Sequence, residues 1–329
     1  MTNTIKSAPI SYLSLQSAFP ENKKLGALIG LIAGDAVGCV YEFKLPSMLP
    51  PRELIDISPP EGFIRTYKDV PIGTYSDDSA QALCLLVSII KHREIDLADF
   101  SMRLCDWFKN GYLALDEIVF DVGIQTIKAL HALLKGADPM KSGGTLESSN
   151  GNGSLMRVLP LALMHAGDDF SLVKEAHLQS MPTHAHPRSL VVCALYCLIV
   201  RAYLNDALSP WEQAEHQLAS IYSTWPDPDE RSIFLTELNY VMTSPYRTHP
   251  TGTGYVVDTI WTAKQAMKEQ SYEEVIKTAI CFGFDTDTTS AVAGGLAGIK
   301  FGMKGIPPRW LDILRGWENV EPHWQFLTD

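Results

Sequence analysis

Apolar residues recur along nearly the whole chain with a period close to 3.6, and no segment alternates apolar and polar positions as a half-buried strand does. This pattern predicts an all-α fold. The first strong helix is expected over residues 24–40, where Leu25, Leu28, Ile29 and Ile32 form an apolar stripe. Gly26, Gly30 and Gly34 recur every fourth residue and make a second, flat face. Each glycine costs roughly 1 kcal/mol in a helix interior, so three of them imply close approach by another helix. The small residues Gly294, Gly295 and Gly298 supply an obvious partner. Residues 46–75, rich in proline and glycine, read as loop. Further helices are expected over residues 80–91, 97–109, 121–134, 189–204, 210–223, 229–241, 256–268 and 272–282, with another starting at Leu155. Asp121 would cap the helix of residues 121–134. The last elements are a helix body at 291–298 and a short helix over 309–317.

Chemistry concentrates where hydroxyls and acids precede a helix. In Asp285-Thr286-Asp287-Thr288 the two acids would face opposite sides of a regular helix. They converge only if the chain is still turning there, with Thr288, Thr289 or Ser290 as the cap. Ser76-Asp77-Asp78 is a second cluster of the same kind. Each alone reads as a helix start whose dipole favours acids; together they offer the hard oxygen ligands that Mg²⁺, Mn²⁺ or Ca²⁺ prefer. Glu42 stands at the exit of the first helix. The Gly/Asn/Ser loop ending at Gly151, Asn152, Gly153 and Ser154 runs into the helix expected at Leu155, so it either presents backbone N–H groups to an anion or simply connects two helices. It lacks the GK[ST] ending of a P-loop. His184 and His186 precede a proline at a spacing unlike HExxH, which favours a pocket-lining or capping role.

A length of 329 residues suggests about two domains. The acidic clusters lie so far apart that, if they share one site, the whole chain closes around it, and this argues for a single domain over residues 23–329. Residues 1–22 form a polar N-terminal extension carrying Leu13, Leu15 and Phe19, expected either to fray or to dock a partner. A net charge of −11 argues against a uniformly basic nucleic-acid surface. Six cysteines without a CxxC pair read as free thiols of a reducing compartment. No leader-like segment opens the chain, and the apolar run 190–200 is too short to span a bilayer. A cytoplasmic protein without nucleic-acid or membrane partners is expected.

Seven stretches in order then carry a resemblance: GALIGLIAGDAVGCVYEF (26–43), GTYSDDSAQAL (73–83), DVGIQTIKAL (121–130), GNGSLMRVLPLAL (151–163), TH (183–184), GTGYVVDT (252–259) and GFDTDTTSAVAGGLAG (283–298). The chain resembles the ADP-ribosylglycohydrolase family, of the dinitrogenase reductase-activating glycohydrolase and ADP-ribosylarginine hydrolase type. The resemblance implies an all-helical single domain with two divalent cations, Mg²⁺ or Mn²⁺. Ser76, Asp77 and Asp78 would hold them from one side, and Asp285, Asp287 and Thr288 from the other. Ser76 stands where many members carry threonine, so the hydroxyl is kept. Glu42 matches the acid beside the metals, a candidate base. Gly151, Asn152, Gly153 and Ser154 match the pyrophosphate loop, and His184 and Tyr255 match positions lining the nucleotide-ribose cleft. Asp121 matches an acid near the leaving group of arginine-specific members. The implied activity is hydrolysis of ADP-ribose from a modified protein, with arginine the expected linkage. The alternatives are a binding-only member and a hydrolase of serine-linked or small-molecule ADP-ribose. In members that act as immunity proteins, an N-terminal extension can plug a cognate ADP-ribosyltransferase toxin.

Overall fold

The structure, a computed structural model, describes residues 11–328. In chain order the helices are α1 (Tyr12–Ala18), α2 (Lys23–Gly38), α3 (Asp77–His92), α4 (Leu97–Asn110) and α5 (Ile124–Leu134). There follow α6 (Leu159–Met164), α7 (Asp169–Ser180), α8 (Pro187–Leu204), α9 (Pro210–Ser223) and α10 (Pro228–Thr243). The chain closes with α11 (Val256–Ala266), α12 (Tyr272–Cys281), α13 (Thr286–Phe301), α14 (Pro308–Ile313) and α15 (Trp317–Val320). Among the described residues no strand forms; Gly144 with His184 and Gly151 with Tyr255 make isolated bridges.

The predicted glycine partnership is the centre of the fold. α2 and α13 run antiparallel with their backbones in contact. A β-carbon on Gly26 would overlap the carbonyl oxygen of Gly298, and one on Gly30 that of Gly294. One on Gly34 would strike Ser290, and one on Gly38 would strike Thr286. Every fourth residue of one helix thus meets every fourth residue of the other, the spacing that stacks small residues on one helix face. Tyr272 on α12 donates to the Gly30 carbonyl (2.5 Å) and Tyr196 on α8 donates to that of Val292 (3.0 Å). The pair is therefore clamped from outside. Lys23–Tyr41 and Pro187–Leu204 are each long and apolar enough to cross a membrane by length and composition. In this fold 94% and 78% of those segments are buried inside the protein, so core packing accounts for their apolar character. All six cysteines are free.

Several elements differ from the sequence reading: α3 already starts at Asp77, and the helix expected over 309–317 breaks into α14 and α15. α13 starts at Thr286, so Thr288 to Ser290 lie inside the helix and Asp285 takes the N-cap position without a side-chain cap bond. α5 starts at Ile124 behind Gly123; Asp121 is not its cap but sits in the left-handed region at φ 60°. Residues 151–157 turn rather than coil into a helix, and α6 begins only at Leu159. α7, missing from the sequence reading, has weak apolar periodicity because its buried side include His177, Gln179 and Ser180.

The segment of residues 11–22 is integrated into the body. Tyr12 and Leu15 are buried. Tyr12 donates to the Arg315 carbonyl (3.2 Å) and stacks edge-on with Trp317. Gln16 donates to the carbonyls of Met303 (2.7 Å) and Ile306 (2.8 Å). The expected frayed or partner-docking arm is, over these residues, an internal contact that satisfies backbone acceptors near the C-terminus. Residues 1–10 lie outside the described residues.

The glycine contact makes a sharp prediction. Gly298→Ala has no room, because backbone atoms block the new methyl group, and overpacking of this kind costs about 3 kcal/mol or more. Gly123→Ala meets nothing closer than 3.8 Å and should cost under about 1 kcal/mol. Urea unfolding of the two variants checks this; similar stabilities would contradict the backbone contact.

Candidate active site

Two acids on or just after α2 organise the site. Asp35 is fully buried inside α2, and its carboxylate accepts from Ser76 N (2.9 Å), Ser79 N (3.0 Å) and Ser79 Oγ (2.5 Å). It satisfies the start of α3. Glu42 follows a 3-10 turn, Cys39–Tyr41, and is also buried. Its Oε2 accepts from Thr286 N (2.7 Å), Thr286 Oγ1 (3.0 Å) and Asp287 N (3.1 Å). It caps α13 from 244 residues away. One helix therefore holds both acidic helix starts, and this is what brings Asp77 and Asp78 to face Asp285 and Asp287.

Carboxylate oxygens of Asp35, Asp78 and Asp287 lie within 4.8 Å of one another, and so do those of Glu42, Asp121 and Asp287. Asp287 belongs to both groups. Thr288 Oγ1 donates to Asp78 Oδ1 (3.1 Å), while the buried Asp78 Oδ2 has no partner. Asp77 accepts from Gln81 (3.0 Å), whose own oxygen accepts from Arg157 (2.9 Å). Asp285 has φ −98° and ψ 74°, which turns it out of the helix and toward Asn152, whose amide donates to it (2.8 Å). Asp121 accepts from the Tyr67 hydroxyl (2.5 Å). Among the described residues no lysine or arginine forms an ion pair with any of these acids. Burial, then Asp285 and Asp121, push the Glu42 carboxyl up; burial, then Glu42 and Asp121, do the same to Asp287. Asp77 rises through burial, then Asp121 and Asp35; Asp78 through burial, then Asp35 and Asp77. Asp35 goes from 3.8 to about 6, chiefly by burial.

A cavity of about 290 Å³ opens beside this cluster, lined among others by Asp77, Asp121, Thr288, Gly151, Asn152, Gly153 and His184. The His184 Nδ1 lies 2.8 Å from Thr183 Oγ1, which accepts from Arg157 (2.8 Å). With two lone pairs, Thr183 Oγ1 can accept from Arg157 and either donate to Nδ1 or accept from it, and Nε2 is the nitrogen that sits against Gly151. Burial, then Arg157, pull the His184 pKa down to about 3, so the ring is neutral. A larger cleft of about 700 Å³, lined by Lys23, His165 and Arg201 among others, contains no acid.

The family model described as ADP-ribosylglycohydrolase matches residues 16–327. The chain belongs to the ADP-ribosylglycohydrolase family. It is 30% identical over 305 residues to "ADP-ribosylarginine hydrolase Tri1" of Pseudomonas putida (strain GB-1), spanning 92% of this chain and 77% of that protein. It is 26% identical to the ADP-ribosyl-dinitrogen reductase glycohydrolase of Rhodospirillum rubrum, over 89% of this chain and 90% of that one. "ADP-ribosylhydrolase ARH3" of Bos taurus is 24% identical, over 90% of this chain and 89% of that one. A solved "ADP-ribosylglycohydrolase-related protein complex" superposes with a TM-score of 0.71 at 28% identity, covering 93% of this chain and 97% of its own.

Against this glycohydrolase background the expected residues divide. Glu42, Asp78, Asp121 and Asp287 enter the two carboxylate groups, with Thr288 bonded to Asp78. Asp77 and Asp285 stand beside these groups, each tied by an amide, and Ser76 Oγ accepts from Asp78 N (3.4 Å). Gly151, Asn152, Gly153 and His184 line the cavity. Two side chains do not. Ser154 is buried and its hydroxyl accepts from Ser180 (2.7 Å), so it faces the core. Tyr255 turns its hydroxyl to Arg188 (3.1 Å) and pairs with the loop through its backbone bridge to Gly151. Sequence reasoning missed Asp35 and Tyr67. Asp35 did leave a signal, as the single charged residue between Leu25 and Tyr41; Tyr67, in a loop, left none.

An oxygen-only donor set, crowded carboxylates and an unpartnered buried oxygen fit hard divalent cations. The crowding has a measurable cost without them. A carboxyl whose folded pKa is raised destabilises the fold progressively as pH climbs from its unfolded value through its folded one. For Asp35 that window runs from 3.8 to about 6, and the other acids, raised in the same direction, add to the effect. In chelator the melting temperature should therefore fall as pH rises through this window, and added Mg²⁺ or Mn²⁺ should remove most of the fall. Asp78→Asn should raise the melting temperature of the chelated protein at pH 8 and shrink the cation-induced shift. A melting temperature that is level or rising with pH in chelator would contradict this account.

Proposed function

We propose that this protein is a metal-dependent hydrolase that removes ADP-ribose from modified arginine side chains. The observation that carries the reading is the convergence of both acidic helix starts on one cavity wall, with no acid of either cluster lost. A binding-only member would have no need for this costly concentration of charge. The Tri1 relative, named an ADP-ribosylarginine hydrolase, supports arginine over serine, as does the Asp121 carboxylate at the cavity.

The bond to break joins the anomeric carbon of a ribose to a guanidinium nitrogen, and positive charge develops on the sugar as it breaks. Glu42 has one oxygen committed to the start of α13, which leaves the other to take a proton from the attacking water. Asp121 offers its charge to the planar, cationic leaving group, and Tyr67 holds it in place. The neutral His184 ring, with its proton on Nε2, and the Gly151 to Gly153 loop would offer donors to the pyrophosphate without adding charge to the acids. Ser76, Asp77, Asp78, Asp285, Asp287 and Thr288 would hold two cations, Mg²⁺ or Mn²⁺, with Glu42, Asp121 and Asp35 bordering them. Such cations, when bound, grip sugar hydroxyls and make a water more acidic.

The substrate class is ADP-ribosylated protein. The free thiols support work in a reducing cytoplasm. Docking of a cognate transferase by the N-terminal segment has less support, because Tyr12 and Leu15 are already buried against the protein's own C-terminal end.

Arginine-linked and serine-linked ADP-ribosyl proteins incubated side by side with Mg²⁺ test the reading. Release of ADP-ribose from the arginine linkage is expected to be faster; faster serine release would move the protein to the other linkage. Asp287→Ala should abolish both turnover and cation binding by calorimetry. Asp121→Asn removes only a charge, since asparagine tolerates the left-handed conformation. It should fold normally and lose about 10²–10⁴ in turnover on the arginine linkage; near-normal turnover would remove Asp121 from the mechanism.

A further inference from the structure

Phe43 and Phe284 directly adjoin the two acids that end and begin the central helix pair, Glu42 and Asp285. Both adopt the left-handed backbone conformation, each with φ 59°. Bulky side chains disfavour that region, where glycine or asparagine sits more easily. The two residues hold each other there: Phe43 N donates to the Phe284 carbonyl (2.8 Å) and Phe284 N donates to that of Lys44 (2.7 Å). Phe43 gains little burial in return, being 59% exposed, and Phe284 remains 37% exposed. Leu45 and Met48, 49% and 57% exposed, continue the apolar surface. Neither backbone preference nor core packing accounts for phenylalanine at these positions.

The surface is continuous with the cavity mouth. The Phe43 ring meets Tyr67 edge-on at 6.2 Å, and Tyr67 holds Asp121, which lines the cavity. Pro46 packs against Gly283, where a β-carbon would come within 2.8 Å of the proline ring, so the strip is fixed rather than loose. Strained residues held by their surroundings gather where contact with a ligand is made, and rigid aromatic anchors dominate recognition of polypeptides.

We propose that Phe43, Phe284, Leu45 and Met48 form the docking rim for the polypeptide that carries the ADP-ribosyl group. The rim engages an apolar residue next to the modified side chain while ADP-ribose occupies the cavity. This inference rests on the proposed hydrolase reading and adds to it a recognition surface for the protein part of the substrate.

The test compares an ADP-ribosylarginine-modified protein with free ADP-ribosylarginine, using the Phe43→Asn/Phe284→Asn double variant of the whole chain with Mg²⁺. On the modified protein KM should rise about tenfold, the loss of one or two anchor side chains, with kcat little changed. On the free compound both constants should stay at wild-type values, and the melting temperature should hold or rise as the strain is relieved. Equal loss on both substrates would show that the rim supports Glu42 and Asp285 rather than docking; unchanged KM on the protein would also overturn the proposal. If the double variant folds poorly, Leu45→Ser/Met48→Ser leaves both strained residues intact and should raise KM on the protein alone. Wild-type protein that cleaves neither compound would overturn the hydrolase reading itself and the rim with it, an outcome distinct from cleavage that ignores the rim.

Discussion

Backbone contact between α2 and α13 is the constraint from which the rest of the structure follows. Two helices whose carbonyls touch each other's α-carbons have their axial register fixed to within a residue, because each step of the glycine series must meet its counterpart. That register puts Glu42, just beyond the end of α2, against the first N–H groups of α13. It also leaves Asp35, still inside α2, free to hold the start of α3. A close helix pair thus becomes an instrument for bringing distant acids together, and the chemistry inherits its precision from packing.

The resulting cluster is unfavourable by itself. Asp35, Glu42, Asp77, Asp78 and Asp287 are buried, mutually repelling and without a cationic side chain, and each carboxyl is pushed up as a consequence. Buried charge of one sign persists only where something else offsets it. Part of the offset comes from backbone N–H groups at two helix starts, the amides of Gln81 and Asn152, and the hydroxyls of Ser79 and Thr288. The proposed divalent cations would supply the remainder, and the Asp78 oxygen without a partner is where the protein's own donors run out.

Around that cluster the polar network keeps its cation one amide removed from the acids. His184 is kept uncharged by burial and by Arg157, and Arg157 reaches the acids only through Gln81. A guanidinium placed directly on Asp77 would compete with a cation for the same carboxylate. The intervening amide lets the arginine orient the site without neutralising it. Backbone strain has a similar local logic, since Phe43, Asp121 and Phe284, all in the left-handed region, each flank or form part of the acidic wall.

By itself the sequence determined the helical class, through its period, and the α2–α13 partnership, through glycines every fourth residue. It also singled out the acid-bearing helix starts, because acids and hydroxyls before an apolar run are a local pattern. Most helix boundaries were legible for the same reason. What local pattern could not show was who caps whom. Thr288 to Ser290 look like caps, yet the cap of α13 is Glu42, and the register of two packed helices supplies it. Asp121 looks like a cap, yet a left-handed turn and a tyrosine from a featureless loop swing it to the cavity. Ser154 looks like part of an anion loop, yet no helix follows at that point and its hydroxyl faces the core. Capping, side-chain direction and the sharing of Asp287 between two carboxylate groups are long-range hydrogen-bond decisions. They come into existence only when elements far apart in the chain are packed together.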